Sequence, residues 1–397
     1  MYYIALKILM GDRAKYIGLL LGIAFTAFLV TFAGSYFAGF MTRGFSLITE
    51  NGFADVWVMD PAVDSVEQTL NMSASALGRI RSVDGVRSAV PLVLGQVDAR
   101  FPNGRFQSFQ VIGVDGATLA GAPLLKGGMP PTILRAPDAA IVAPGGTEGK
   151  LETPIREADQ WPRDGPHLGV PTRKLMAGDE LLANDRRIKV VDRTETLPRF
   201  PPRPLIYTSY GDAMRILPPA RRTLTFVLVN SQPGVAPRQL AQRIQERTGL
   251  RARSSADFKA DTVRWYLVNS EDVGDMAAML TLAMTVGFGV TGVMLYMFTY
   301  ENLRQYAVLK VMGATPQLLL TMVFIQAGVC AILGACLGLG LCALVGELVS
   351  FSGYPFRMMW FTPVVGITGV LAVSVAAAVI SIRPVLKLEP GVVFAGR

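Results

Sequence analysis

Apolar residues run almost without interruption through Tyr16–Phe40, Met276–Tyr300, Leu318–Val345 and Phe361–Ile382. A helix of about 20 residues crosses about 30 Å of hydrocarbon, so each run is long enough to span a membrane. The pattern predicts four transmembrane helices over 16–40, 276–300, 318–345 and 361–382. Residues 41–275, between the first two, have a different rhythm of short alternating segments separated by turn residues. Alternation over Val86–Arg100 and Phe106–Val114, around Phe101-Pro-Asn-Gly-Arg105, predicts a hairpin in which Asn-Gly supplies the positive φ values of a tight turn. A second hairpin is predicted from Gly178 to Val191 around Asn184-Asp185, and a single strand over Thr223–Val229. Helical spacing appears at Met72–Arg81, Ser209–Ile216 and Pro237–Thr248, where Leu240 and Ile244, with Val235 ahead of them, mark one face. Two Pro- and Gly-rich stretches, Gly127–Gly169 and Leu197–Pro204, read as surface loops or a subdomain border.

Composition agrees with the spans. The 397 residues are 51% apolar and 17% charged, where a soluble domain carries roughly 25% charged residues. The mean hydropathy is +0.38, which argues against a purely soluble enzyme. A net charge of +8 would ordinarily raise nucleic acid as a partner, but the charge is in the wrong place for it. Residues 41–275 hold 29 Lys and Arg against 26 Asp and Glu, while the remaining residues hold 9 against 4, beside the apolar runs. Lys7, Arg13, Lys15, Arg304, Lys310, Arg383, Lys387 and Arg397 all fall on one side of the four spans, and Arg357 on the other. By the positive-inside rule the first side is cytoplasmic. The expected order is a cytoplasmic segment 1–15, helix 16–40, an extracytoplasmic domain 41–275, helix 276–300, a cytoplasmic segment 301–317, helix 318–345, an outer turn 346–360, helix 361–382 and a cytoplasmic tail 383–397. The fold class is a membrane protein with four transmembrane α-helices and a large α+β extracytoplasmic domain inserted between helices 1 and 2. The first run exceeds the about 7–15 apolar residues of a secretory signal, so it reads as a retained anchor. Cys330, Cys336 and Cys342 all lie in one apolar run and offer no disulfide framework.

Most chemical motifs dissolve on inspection. Gly287-Phe-Gly-Val-Thr-Gly292 has dinucleotide spacing but sits in the middle of a membrane run, without the strand and helix start such a site needs. Small residues there, and the pairs Gly18/Gly22 and Gly334/Gly338, suit close helix packing. Gly149-Lys150 lacks the remainder of a phosphate-binding loop, so no ATP motif is expected on this chain. His167 is the sole histidine and lies in a loop, and the cysteines, six apart, do not share a helix face. No catalytic residue, cofactor site or metal site is therefore expected. Glu271, Asp272 and Asp275 read as a solvated helix start.

One segment stands out. Glu301 to Gln317 is amphipathic at helical spacing and closes on Gly313 with Pro316 beyond it, a helix with a stop signal before the chain re-enters the membrane. Within it, Arg304-Gln-Tyr-Ala-Val-Leu-Lys-Val-Met-Gly-Ala-Thr315 resembles the R-x-E-I-G-x-L-[KR]-A-x-G-A-[ST] signature of the FtsX/MacB-type ABC transporter permeases, with Gln305 where that family has an acid. Arg383-Pro-Val-Leu-Lys-Leu-Glu-Pro-Gly-Val-Val-Phe394 is similar to the family's closing segment, with Glu389 in place of Asp. Trp265-Tyr266, Ile216-Leu-Pro-Pro-Ala-Arg221 and the Val-Val-Phe ending most resemble the DevC-like subgroup.

The resemblance implies a homodimeric permease in the bacterial inner membrane, both termini cytoplasmic, driven by a separate cytoplasmic ABC ATPase that carries the ATP and Mg. The coupling residues it implies are Arg304, Gln305, Tyr306, Val308, Leu309, Lys310, Val311, Met312, Gly313, Ala314 and Thr315. Gly18, Gly22, Gly287, Gly292, Gly334 and Gly338 are the expected helix-packing positions. MacB-like members work with a membrane-fusion adaptor and an outer-membrane duct, and the DevC-like ones imply export of an amphiphilic or lipid-like substrate. The alternative is an FtsX-like mechanotransmission regulator of a periplasmic or cell-wall enzyme that carries nothing. A membrane-anchored enzyme is disfavoured by the missing catalytic constellation. The expected partners are the ATPase, a second copy and the lipid membrane, and no nucleic acid.

Overall fold

The computed structural model describes residues 7, 9, 13–125, 131–147, 149–221 and 223–386. Most of the N-terminal segment 1–12 and the closing segment 387–397, including Glu389, lie outside the described residues. The helices are α1 (Arg13–Gly44), α2 (Ser46–Glu50), α3 (Ser75–Arg81), α4 (Tyr210–Ile216), α5 (Pro237–Thr248), α6 (Ser255–Asn269), α7 (Glu271–Glu301), α8 (Leu303–Val311), α9 (Pro316–Ser350) and α10 (Phe361–Leu386). The strands are β1 (Val56–Met59), β2 (Val86–Arg100), β3 (Phe106–Val114), β4 (Ala139–Ala143), β5 (Glu152–Pro154), β6 (Thr172–Lys174), β7 (Glu180–Ala183), β8 (Arg186–Arg193), β9 (Leu205–Ser209), β10 (Phe226–Ser231) and β11 (Arg251–Ser254). The chain divides into two compact units, Met1–Phe40 with Glu271–Arg397, and Met41–Ser270.

In the first unit, α1, α7, α9 and α10 are, among the described residues, the helices long and apolar enough to cross a membrane. Their shared core is built from small and branched side chains: Ile23 and Ala27 of α1 meet Leu295 and Phe298 of α7, Cys330, Ala331 and Ala335 of α9, and Val370 and Ala378 of α10. Within lipid such packing replaces the hydrophobic drive available in water. Helix α7 opens with Glu271 and Asp272 in its first turn, where carboxylates favour the positive end of the helix dipole. The segment between α9 and α10 folds onto α1. The Arg357 N–H donates to the Ser35 carbonyl at 3.1 Å, and the Tyr36 and Tyr354 rings stack 5.0 Å apart. Phe351 and Trp360, at the two ends of this segment, are each 78% exposed.

The second unit is an α+β domain whose nine-stranded sheet, among the described residues, has the order β11-β1-β10-β2-β3-β9-β4-β8-β7. β7 also returns to β2 through Ala99↔Ala183 and Arg100↔Leu182, so β2, β3, β9, β4, β8 and β7 close into a ring. The fifteen residues of β2 make this possible: one edge pairs with β10 over Val86–Leu92 and with β7 only at Ala99 and Arg100. Val97, Phe101, Phe109, Val111, Val142, Leu181 and Ile206 fill the interior of the ring. The opposite face carries a second core around Trp57, Ile112, Tyr207, Phe226 and Phe258. Helix α5 covers a third with Leu240 and Ile244, as its amphipathic spacing requires, and Pro237 at its start and the left-handed Gly249 at its end bound it.

Several expectations need correction here. In the first hairpin only Gly104 (φ +83°) takes the left-handed conformation; Asn103 does not, and its side chain instead accepts from the Arg105 N–H. The five-residue loop relieves Asn103 of the conformation a two-residue turn would demand. In the second hairpin both Asn184 (φ 45°) and Asp185 (φ 61°) adopt it. The stretch 127–169 is not all surface, because Ala139–Ala143 is a fully buried strand. The strand expected over Thr223–Val229 lies over Phe226–Ser231, since Leu224 bridges to Met72 and Thr225 caps Leu94 instead.

Candidate functional site

Helix α8 lies between α7 and α9 in the chain and, at nine residues, is too short to cross a membrane. Its end is a complete Schellman motif: the Gly313 N–H donates to the Lys310 carbonyl at 3.1 Å and the Ala314 N–H to the Leu309 carbonyl at 3.0 Å. Gly313 sits at φ +91°, a conformation that costs glycine least. Pro316 then starts α9, where its missing N–H is no loss. The sharp stop therefore comes from two residues that each remove an alternative.

The two faces of α8 have opposite destinations. Tyr306 and Ala307 are buried, and the Tyr306 hydroxyl donates to Gln326 Oε1 of α9 at 2.6 Å. Burial pushes the Tyr306 phenol well above its usual range, so it stays a donor. Leu309 also packs inward, and Lys310 is half-buried. Arg304, Gln305, Val308, Val311 and Met312 point outward; Val311 is 62% and Met312 69% exposed. Residues 304, 308 and 311 recur at helical spacing, so the outward stripe is continuous and largely apolar. Tyr306, one of the expected coupling residues, thus anchors α8 onto α9. Ala314 is half-buried and Thr315 exposed where the chain turns into α9. Nearby, Lys15 of α1 and Glu301 at the end of α7 form an ion pair at 3.1 Å.

The glycine positions separate cleanly. A Cβ at Gly334 would come 2.6 Å from Ile23, and one at Gly338 would come 2.7 Å from Ala27, so both allow α9 to lie against α1. At Gly287 it would come 2.8 Å from Thr26, whose hydroxyl donates to the Gly287 carbonyl at 2.6 Å and lies 2.8 Å from the Thr291 hydroxyl. At Gly22 it would meet Met294 at 3.3 Å. Gly18 and Gly292 have nothing within 4 Å of that position among the described residues. Gly287 to Gly292 lies deep within α7.

In the second unit the sequence concealed two largely buried ion pairs. Arg199, 4% exposed, pairs with Glu50 and donates to the Ser46 hydroxyl at 2.8 Å and the Tyr207 hydroxyl at 3.0 Å. Arg203 pairs with Glu67. Burial, incompletely offset by Arg203, holds the Glu67 carboxyl above the usual carboxylate range, and burial likewise pushes the Tyr207 phenol up. Both arginines lie in Leu197–Pro204, the stretch read as a surface loop. Its prolines removed backbone donors, and their side-chain partners, 149 and 136 residues away in sequence, left no local signal. His167 sits in a loop between Asp159 at 3.4 Å and Asp164 at 3.1 Å, and its pKa is raised chiefly by the hydrogen bond to Asp164. Among the described residues no group of three or more His, Cys, Asp or Glu is arranged to hold a metal ion.

Residues 277–390 match the family model described as FtsX-like permease C-terminal, a range that takes in α8. No curated protein matches the chain by sequence. Among solved structures, the chain is similar to the periplasmic region of MacB from Actinobacillus actinomycetemcomitans at 12% identity, covering 56% of this chain and 96% of that one with a TM-score of 0.37. It is also similar to the extracellular domain of the noncanonic ABC-type transporter YknZ from Gram-positive bacteria, at 12% identity, 51% and 98% coverage and a TM-score of 0.31.

Proposed function

We propose that the chain is the permease subunit of an ABC transporter that transmits the motion of a separate cytoplasmic ATPase to its outer domain. The observation that carries this reading is the outward apolar stripe of α8, inside the range that matches the FtsX-like permease family. Val308, Val311 and Met312 offer a partner apolar surface, while Tyr306 and Ala307 lock the same helix onto the bundle. A push on the outer face of α8 then travels through Tyr306 and Gln326 into α9. Phosphate chemistry, with its ATP and Mg, belongs to the partner, and this chain is the non-catalytic subunit.

In this reading the protein is a homodimer in a bacterial inner membrane with both termini cytoplasmic. The DevC-like ending supports an amphiphilic or lipid-like substrate, exported or extracted at the outer face with a membrane-fusion adaptor and outer-membrane duct. The decisive experiment is co-purification with the ATPase and measurement of its hydrolysis in reconstituted membranes. Burying Val311 or Met312 contributes about 1.5–3 kcal/mol each, so Val311→Asp or Met312→Asp should weaken the complex roughly tenfold or more. Wild-type binding and hydrolysis in both variants would remove α8 from the mechanism.

A further inference from the structure

The chain enters the second unit through the last residues of α1, which ends at Gly44, and leaves it after α6, which ends at Asn269. These two points are neighbours, because a Cβ at Gly44 would come 2.6 Å from the Tyr266 ring. β1, which follows α2, and β11, which precedes α6, form one edge of the nine-stranded sheet, and β10 separates them from the ring. Along the sheet, a displacement at the entry or exit therefore reaches the ring only across β10.

Residues 197–204 bypass that route. Towards the entry and exit, the Leu197 N–H donates to Glu50 Oε1 of α2 at 2.8 Å, the Arg199 guanidinium to the Ser46 hydroxyl at 2.8 Å, and the Tyr266 hydroxyl of α6 to the Phe200 carbonyl at 3.1 Å. Towards the ring, the same guanidinium donates to the Tyr207 hydroxyl of β9 at 3.0 Å, the Arg199 N–H to the Gly145 carbonyl beyond β4 at 3.0 Å, and the Gln110 N–H of β3 to the Pro204 carbonyl at 3.0 Å. A guanidinium carries its donors in one rigid fork, which is how a single side chain holds both sides. Between its anchors the segment is stiff. Pro198, Pro201, Pro202 and Pro204 each fix φ at about −65°, and a Pro-rich chain acts as a semi-rigid spacer. Pro201 and Pro202 are exposed, so burial does not account for them.

We propose that residues 197–204 are a strut that carries displacement of the entry and exit straight to the ring of the outer domain. The inference rests on the reading of this chain as a transmitter of ATPase-driven motion, and it names the element that makes the last transfer. Load on α2 passes from Glu50 and Ser46 through the Arg199 guanidinium to Tyr207. Load on α6 passes from Tyr266 through the Phe200 carbonyl into the backbone that ends on β3. Arg203, paired with Glu67, ties the far end of the segment down. A strut needs anchors at both ends and stiffness between them, and this segment has all three.

The test uses the full chain with the ATPase that co-purifies with it, in phosphatidylcholine nanodiscs. A donor dye on Asp185→Cys, at the exposed β7–β8 turn of the ring, and acceptor dyes on the lipid headgroups report the height of the ring by energy transfer; Cys336→Ser removes the exposed native thiol. Trapping with ATP and vanadate is expected to change the transfer in this parent protein. The double variant Pro202→Gly/Tyr266→Phe frees φ at an exposed position and removes one anchor. It should reduce that change at least twofold, with ATP hydrolysis and the thermal midpoint close to those of the parent. Pro61→Gly, at an exposed proline outside the segment, should keep the full change. A segment that only stabilises the domain would instead lower the midpoint and leave the change intact. The full change in the double variant, or in Pro202→Gly alone where the double variant does not fold, overturns the strut and leaves the transmission reading standing. No change in the parent protein overturns both.

Discussion

Replacing Gly338 by alanine measures how closely α9 lies on α1. A Cβ there would meet the Ala24 carbonyl oxygen, the Ala27 methyl at 2.7 Å and the Phe28 nitrogen at 3.0 Å. Two of these are backbone atoms of α1 and cannot rotate aside. Restoring an ordinary carbon contact of about 3.5–4.0 Å requires the helices to part by roughly 1 Å, a gap that forfeits about a quarter to a half of each dispersion contact along the seam. Overpacking of this kind costs about 1–3 kcal/mol. The better helix propensity of alanine returns about 0.5–1 kcal/mol. A net loss of about 1–2 kcal/mol remains. Gly18→Ala is the matched control, since the same methyl on α1 meets nothing within 4 Å among the described residues. It should be neutral or slightly stabilising. At about 2–4 °C per kcal/mol, thermal midpoints of the two variants in one detergent should differ by roughly 2–8 °C, Gly338→Ala being the lower. Equal midpoints would show that the α1–α9 seam is not held by glycine contact and would refute the packing argument.

Two further outcomes follow from the outer domain. Arg199→Met should destabilise it by about 3–5 kcal/mol, because Glu50 is left buried without its cation; limited proteolysis of the full chain would report this, and adding Glu50→Leu should recover much of the loss. Asp257 has its pKa lowered chiefly by the hydrogen bond from Arg238, then by that from Ser254. A folded value below the unfolded 3.8 means that this contribution is present above pH 3.8 and is lost as the pH falls through the folded value. Asp257→Asn should therefore flatten the acid limb of the unfolding midpoint against pH and leave the limb above neutrality unchanged.

The elements that could be read along the chain are those whose causes are local. Asn184-Asp185 between alternating segments marks a hairpin because those residues tolerate positive φ, and Pro237 and Gly249 bound α5 for equally local reasons. Gly313 and Pro316 end one helix and begin the next within four residues, so the end of α8 was legible too. Which side of α8 faces the bundle was not legible: the segment reads as amphipathic, but apolar residues lie on both of its faces, buried Tyr306 and Ala307 as well as exposed Val308 and Val311, and only Gln326 of α9 marks the inward one. Ring closure by β7 onto β2 depends on two residue pairs more than 80 positions apart, and no periodicity encodes such a distance. The buried arginines were hidden for the same reason: Arg199 and Arg203 read as loop charges until chain folding brings Glu50 and Glu67 beside them. Local sterics and hydrophobic period set the elements, whereas burial and charge pairing exist only between segments that the tertiary fold has already brought together.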